Sequence, residues 1–350
     1  GANLELRTKS ANIAIGNLNT YPDFRDSSGG NYNIAIGTEV FMDLTSGERN
    51  TGVGYQAGRH NVGGDYNVFM GFSAGRGTTS GTYAGNTGIG YNTLYTVNTG
   101  ENNTAIGRNA LYQLDKGEKS VGIGLNAGYY ATGSYNTFVG SEAGKGGTTS
   151  APYSSGQFNT AVGANALDAF TSGYQNVAIG YQAATDLTTA YYGTYIGMQA
   201  GQNVTSGNVN TFIGWQSGNA VTTTSNKIAI GYRAGYADGG EMDVHIGYEA
   251  GRNVTAGDNI SIGRSAGQGY HGVSQTEFQA NTTNRYNISI GTFAGRKAIG
   301  TNSVNIGHNA GYYATGSFNT FVGSEAGKGG TTSAPFSSGT ANTALGYQAL

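Results

Sequence analysis

The chain contains no cysteine, which excludes a disulfide framework and a thiolate metal site. Charge is sparse: 18 Lys and Arg stand against 20 Asp and Glu, for a net of −2. No basic face or Lys/Arg run exists, so nothing in the sequence points to nucleic acid or an anionic membrane surface. No apolar stretch approaches the roughly 18–20 residues of a membrane helix. No signal peptide is visible, but the chain opens on Gly1 and stops inside a repeat at Leu350. It reads as a fragment or processed piece, so missing targeting signals carry little weight. What is abundant is glycine, 62 of 350 residues, against a usual share of about 7%. The glycines show no collagen period. They sit in fixed columns, which argues against low-complexity disorder.

Those columns belong to a nine-residue phrase that recurs nineteen times. It reads NTGVGYQAG at Asn50–Gly58 and NTALGYQAL at Asn342–Leu350. Its central glycines run from Gly16, Gly37, Gly54 and Gly71 to Gly323 and Gly346, mostly 16 or 17 residues apart. A short fixed period with occasional insertions marks a solenoid. The expected fold is all-β: a parallel β-solenoid, or β-roll, of about 19 coils in one elongated array over residues 1–350. Insertions fall at 19–32, 145–158, 268–286 and 328–341.

The columns suggest how a coil is built. Three residues before the central Gly stands Thr, Ile or Val; one before it stands an aliphatic residue, as in Ile13 and Ile15. Two residues apart on a strand means one shared face, and this regular face is expected to line the inside. The column between them tolerates Ala14, Phe69, Tyr195, His245 and Asn305, so it is expected to meet solvent or another chain. The Gly turns the strand, since glycine alone takes positive φ freely. A small residue three further on, such as Ala57 or Ala110, should let a second limb approach. Gly47, Gly64 and Gly100 mark the return turn. Each coil is thus expected to hold two short strands and two turns. Asn fills the first column in fourteen of nineteen copies. Two readings stand for it: a stacked hydrogen-bonding ladder or tolerance of a left-handed turn.

A 16-residue coil has a thin interior, with few inward side chains to set against about 1–2 kcal/mol of backbone entropy per residue. Side-by-side association of identical chains, three of them, is the expected remedy. The phrases NIAIG at Asn33–Gly37, NTAIG at Asn103–Gly107, NVAIG at Asn176–Gly180 and NISIG at Asn287–Gly291 resemble the head repeats of trimeric autotransporter adhesins. NTFVGSEAG (Asn136–Gly144, Asn319–Gly327) and NTFIGWQSG (Asn210–Gly218) look more like repeats of bacteriophage tail fibres. The resemblance implies a left-handed parallel β-roll in a homotrimer. The coils here are longer than autotransporter head repeats, and no anchor, stalk heptads or chaperone domain is seen. A near-perfect duplication, Gly128–Ser155 against Gly311–Ser338, looks like a structural cassette rather than a unique active site.

Chemical motifs are few. Gly52–Gly58 and Gly144–Thr148 imitate nucleotide loops but miss the required spacing. His60, His245, His271 and His308 lie far apart. Asp238–Asp243 offers oxygen ligands but matches no calcium loop. No catalytic, cofactor or metal residue is nominated, and no enzyme activity is expected. The aromatic residues after the central Gly, Tyr181, Trp215, Tyr232 and Tyr248, should align as a stripe, either a sugar-stacking surface or a packing ladder. The insertions carry Tyr21, Phe24, Tyr153, Tyr270, His271, Phe278, Tyr286 and Phe336, the residues best placed for receptor contact. The expected role is a structural and adhesive fibre segment, a phage tail-fibre shaft or receptor-binding fibre. It would sit outside the cell on a virion or bacterial surface and contact itself and a host glycan or protein. The head of a bacterial trimeric surface adhesin or a self-assembling extracellular filament is the alternative. A glycan depolymerase and an ice-binding solenoid are rivals, the latter disfavoured because its Thr column looks buried.

Overall fold

The computed structural model describes residues 4–9, 11–17, 30–78, 81–147, 153–269, 285–330 and 337–350. Among them are twenty strands and no helix. The chain forms two compact units, Gly1–Gln175 and Asn176–Leu350. The first unit opens with β1 (Leu4–Lys9), antiparallel to β2 (Asn12–Asn17). Every later strand is three residues long and parallel to its neighbour, one per coil. Residues at equivalent places in the phrase stack on each other: Thr51 on Val68, Gly52 on Phe69, Val53 on Met70. The second unit repeats this from Val177–Ile179 to Thr343–Leu345. The protein is an all-β parallel β-solenoid.

The second limb is not a strand. Among the described residues only isolated bridges occur there, such as Asn61 with Gly81 and Ala131 with Ser154. It is a run of turns whose backbone groups still bond to the next coil, as in Phe41 N–H to Ala57 O at 3.0 Å and His60 N–H to Arg76 O at 2.9 Å. That satisfies the main chain without a second ladder. Left-handed residues recur two after the central Gly (Glu39, Gln56, Asn109) and just before the first column (Arg49, Tyr66, Lys119). The central glycines from Gly37 to Gly346 take φ between +118 and +138, a region closed to other residues. A Cβ on Gly107 would also lie 2.7 Å from Gly124 O, in the coil stacked against it.

The faces are the reverse of the sequence expectation. The middle residue of each strand is the buried one: Ala35, Phe69, Phe138, Tyr195, Phe212 and His245 all point inward. The flanking β-branched and aliphatic residues point out and remain partly exposed. The physical reason is width. Between strand and turn limb there is room for one side chain per strand, met by the small residue three after the Gly (Ala57, Ala110 and Ala166, all buried). Two branched side chains per strand would not fit. Closed interiors are packed like crystals, and the fit here is by exchange of size between neighbours. A Cβ on Gly144 would strike the Phe138 ring, and one on Gly122 would lie 2.7 Å from Leu111 Cγ.

The first column is a ladder. Asn50 N–H donates to Asn33 Oδ1 at 2.9 Å, and Asn50 Nδ2 donates to Gly64 O at 2.9 Å. Asn67 and Asn50 repeat the first of these bonds, also at 2.9 Å. The Asn side chains are buried and each ties its own coil to both neighbours. The left-handed conformation falls on the residue before Asn, not on Asn itself.

Candidate functional site

Two kinds of outward surface follow from this geometry. The first is aliphatic. Met70, Ile89 and Ile106 in the first unit, and Ile179 and Ile306 in the second, are each 37–43% exposed. They belong to the strand column directly before the central Gly, so they lie along a parallel ladder. The second is aromatic. Tyr55, Phe72 and Tyr91, each just after a central Gly, stack at 5.1 and 5.3 Å between ring centroids. Four residues further along the coil, Tyr95, Tyr112 and Tyr129 stack at 4.9 and 4.8 Å with their ring planes almost parallel. Burial, with Tyr129 and Tyr95 on either side, pushes the Tyr112 phenol up to about 12. Tyr32 and Tyr66 hold the Arg49 guanidinium between them at 5.6 and 5.3 Å.

The stripe read from the sequence falls in the second unit. Trp215 meets Tyr232 edge-on at 5.2 Å, and Tyr232 stacks on Tyr248 at 4.8 Å. Trp215 is 46% exposed. Tyr181 is exposed too, two coils away, with exposed Met198 between it and Trp215. Of the insertion residues, Tyr153 lies 6.0 Å from Tyr130, at the end of the tyrosine ladder. Tyr286 is exposed with Arg285 over its ring at 5.6 Å. Tyr21, Phe24, Tyr270, His271, Phe278 and Phe336 lie outside the described residues. An open recess of about 270 Å³, lined by Phe293, Arg296, His308, Asn309, Tyr312, Tyr313 and Lys328, combines cations with aromatic rings.

Sequence reasoning missed a buried ionic cluster. Lys227 and Asp243 stand in the Asn column in successive coils, His245 in the core column and Asp238 in the turn limb. The four side chains are 2% exposed or less. Lys227 Nζ lies 2.5 Å from Asp238 Oδ2 and donates to Asp238 O at 2.8 Å. His245 Nε2 is 3.0 Å from the same Oδ2, and Gly240 N–H donates to Oδ1 at 3.0 Å. Burial alone would raise the Asp238 carboxyl, but Lys227 and His245 together hold it below its usual range. Asp243 fares otherwise. Burial first, then the Asp238 charge, push it up to about 7. Its Oδ1 accepts from Asn259 N–H at 2.8 Å, keeping half of the ladder, while Oδ2 has no hydrogen-bond partner and lies 3.8 Å from Lys227 Nζ. Acceptor atoms of Asp238, Asp243 and His245 lie within 4.8 Å of one another, and the Lys227 ammonium supplies the cation among them. The signal in the sequence is the departure itself: a column otherwise Asn, Ser or Gly that turns Lys, then Asp.

Among the described residues no helix is long and apolar enough to cross a membrane. No family model, no curated protein and no solved structure matches this chain.

Proposed function

We propose that the chain is a structural and adhesive fibre segment, a left-handed roll that assembles with two further copies of itself. The observation that carries this reading is the outward aliphatic column. A coil that fills its interior with one side chain per strand leaves Ile and Val in a continuous ladder on the outside. Such a ladder loses about 25 cal/mol for each Å² left in water, and identical chains side by side would cover it. Three chains would then display the aromatic ladders in repeat, so that weak contacts to sugar rings add through avidity. A phage tail fibre, or the adhesive head or filament of a bacterial surface, uses a chain in this way. No catalytic role is proposed.

Sedimentation equilibrium tests the assembly. The expected mass is three chains, falling to one in the double variant Ile89→Glu, Ile106→Glu with an unchanged circular dichroism spectrum. A wild-type chain that sediments as a compact monomer ends the proposal. Sugar contact is tested by quenching of Trp215, the single tryptophan, during titration with bacterial surface polysaccharide.

The reversed faces also favour a second reading. Thr87 pairs with Thr104, and Thr194 with Thr211, on the outward side of adjacent strands, as an ice-binding surface would need. Absence of thermal hysteresis in the purified protein removes it.

A further inference from the structure

The Lys227 cluster is built from three inward columns at once. Asn occupies the first column in the coils on either side (Asn210, Asn259). The turn-limb place of Asp238 is apolar and buried in most other coils, as at Leu114, Phe170, Leu187, Val204, Val221 and Val254, with Asn61 a polar exception. The core column is mostly Ala, Gly or aromatic where His245 stands. Removing two carboxylates and an ammonium from water is expensive, and a buried ion pair commonly fails to recover that cost. A packed Asn and Val would serve stability better. The arrangement therefore asks for a chemical reason.

The geometry supplies one. A primary amine touches a carboxyl group in a buried site. Both oxygens of that carboxyl already face donors, Gly240 N–H on Oδ1 and His245 Nε2 on Oδ2. A second carboxyl with a free oxygen waits 3.8 Å from the amine. We propose that Lys227 Nζ and Asp238 Cγ are joined by an intramolecular amide bond that the folded chain forms by itself, with Asp243 as the proton relay.

The step balances. The Lys227 ammonium gives one proton to Asp238 Oδ2, which it touches, so that a neutral amine faces a neutral carboxyl. Its lone pair attacks Asp238 Cγ, and the Nζ–Cγ bond forms. Negative charge gathers on Oδ1, where the Gly240 N–H faces it, in the manner of an oxyanion hole. The Cγ–Oδ2 bond then breaks. Asp243 takes one proton from Nζ and passes it to Oδ2, which already carries one and leaves as water beside His245 Nε2. The ammonium and carboxylate charges disappear together, and Asp243 ends as it began. An Asp243 carboxyl that titrates near neutral pH suits a group that must both accept and return a proton. Asp238 rather than Asp243 is the electrophile, because it alone is in contact with Nζ and has donors on both oxygens. The product staples the strand limb of one coil to its turn limb, so that coil cannot unroll when the chain is pulled.

Intact-mass spectrometry of the purified full chain tests this. The expected mass is one water below that of the sequence. Trypsin cuts after Arg233, between the two residues, so the peptides carrying Lys227 and Asp238 should remain joined. Lys227→Asn and Asp243→Asn both restore the residue common in their column and should fold, as circular dichroism will show. Both should run at full sequence mass. A folded wild-type chain at full mass overturns the proposal and leaves an ion pair. A missing water confined to the Asp238–Gly239 peptide, with the Lys227 peptide free, overturns it too, because that marks cyclisation of Asp238 onto its own backbone. Joined peptides in Asp243→Asn, formed as fast as in wild type, overturn the relay role.

Discussion

Phe69 and Met70 are neighbours on one strand and face opposite ways, so substituting each to Ala weighs the two faces directly. Phe69 is fully buried and its ring lies 6.5 Å from Phe41 and 6.0 Å from Tyr83. A Cβ on Gly75 would strike the same ring, so the space is specific to it and no side chain can swing in to refill it. Truncation of a buried Phe costs about 3–5 kcal/mol. Met70 is 43% exposed. Its methylenes are only partly removed from water, and truncation leaves no enclosed cavity, so the loss should stay near 1 kcal/mol. Amide hydrogen exchange is the suitable assay, because a coil array opens locally and a single melting point would average over it. Phe69→Ala should speed exchange strongly at Gly71, Gly75 and Gly90 at any protein concentration. Met70→Ala should leave those amides nearly unchanged and act, if the chain associates, on the concentration at which it does so. Equal or greater local loss in Met70→Ala would refute the inward placement of the variable column and everything built on it.

Gly107→Ala combines a φ of +118 with a Cβ against the next coil's carbonyl, and should cost upward of about 3 kcal/mol, seen as a lowered urea midpoint. Asn86→Ala removes the acceptor of Asn103 N–H (3.0 Å) and the donor to Gly100 O (2.8 Å), at about 1–3 kcal/mol per buried group left unpaired. Asn86→Ser should lose less, since Ser120 already fills this column and accepts from Asn136 N–H at 3.2 Å; equal losses would deny the ladder its acceptor role. The Tyr112 phenol is held above its ordinary 10, toward about 12, so the folded state prefers the protonated form. Its contribution is full below pH 10 and falls as pH rises through that window. Ultraviolet titration should show late ionisation that Tyr112→Phe removes, and identical curves would refute it.

How much of the outward surface was legible follows from the same columns. Residues one after the central Gly repeat once per coil, so alignment of Trp215, Tyr232 and Tyr248 could be read without coordinates. The Tyr95–Tyr112–Tyr129 ladder obeys the same rule but lies one residue beyond the nine-residue phrase, where the columns are less regular. The ionic cluster was not readable as a cluster. Lys227 and His245 are eighteen positions apart, and only the stacking of two coils brings both onto Asp238.

The repeat by itself determined the stacked parallel architecture and the glycine corners, because each depends on a backbone need that few residue types meet; for the Asn column it left a ladder and a left-handed turn both open, and the structure decided for the ladder. Which face is inside was decided only by tertiary closure. A period of two separates a strand's faces but does not say which is enclosed, and the regular apolar column is the obvious candidate for a core. The deciding fact is volume. Phe69, Phe138, Phe212 and Phe321 each come with Gly six residues on (Gly75, Gly144, Gly218, Gly327), whereas Ala105 and Ala161 come with Leu111 and Leu167. Residues that trade size across a coil are pressed against each other in an interior with room for one of them. The uniform Ile and Val have no such partner, because none of the described residues encloses them.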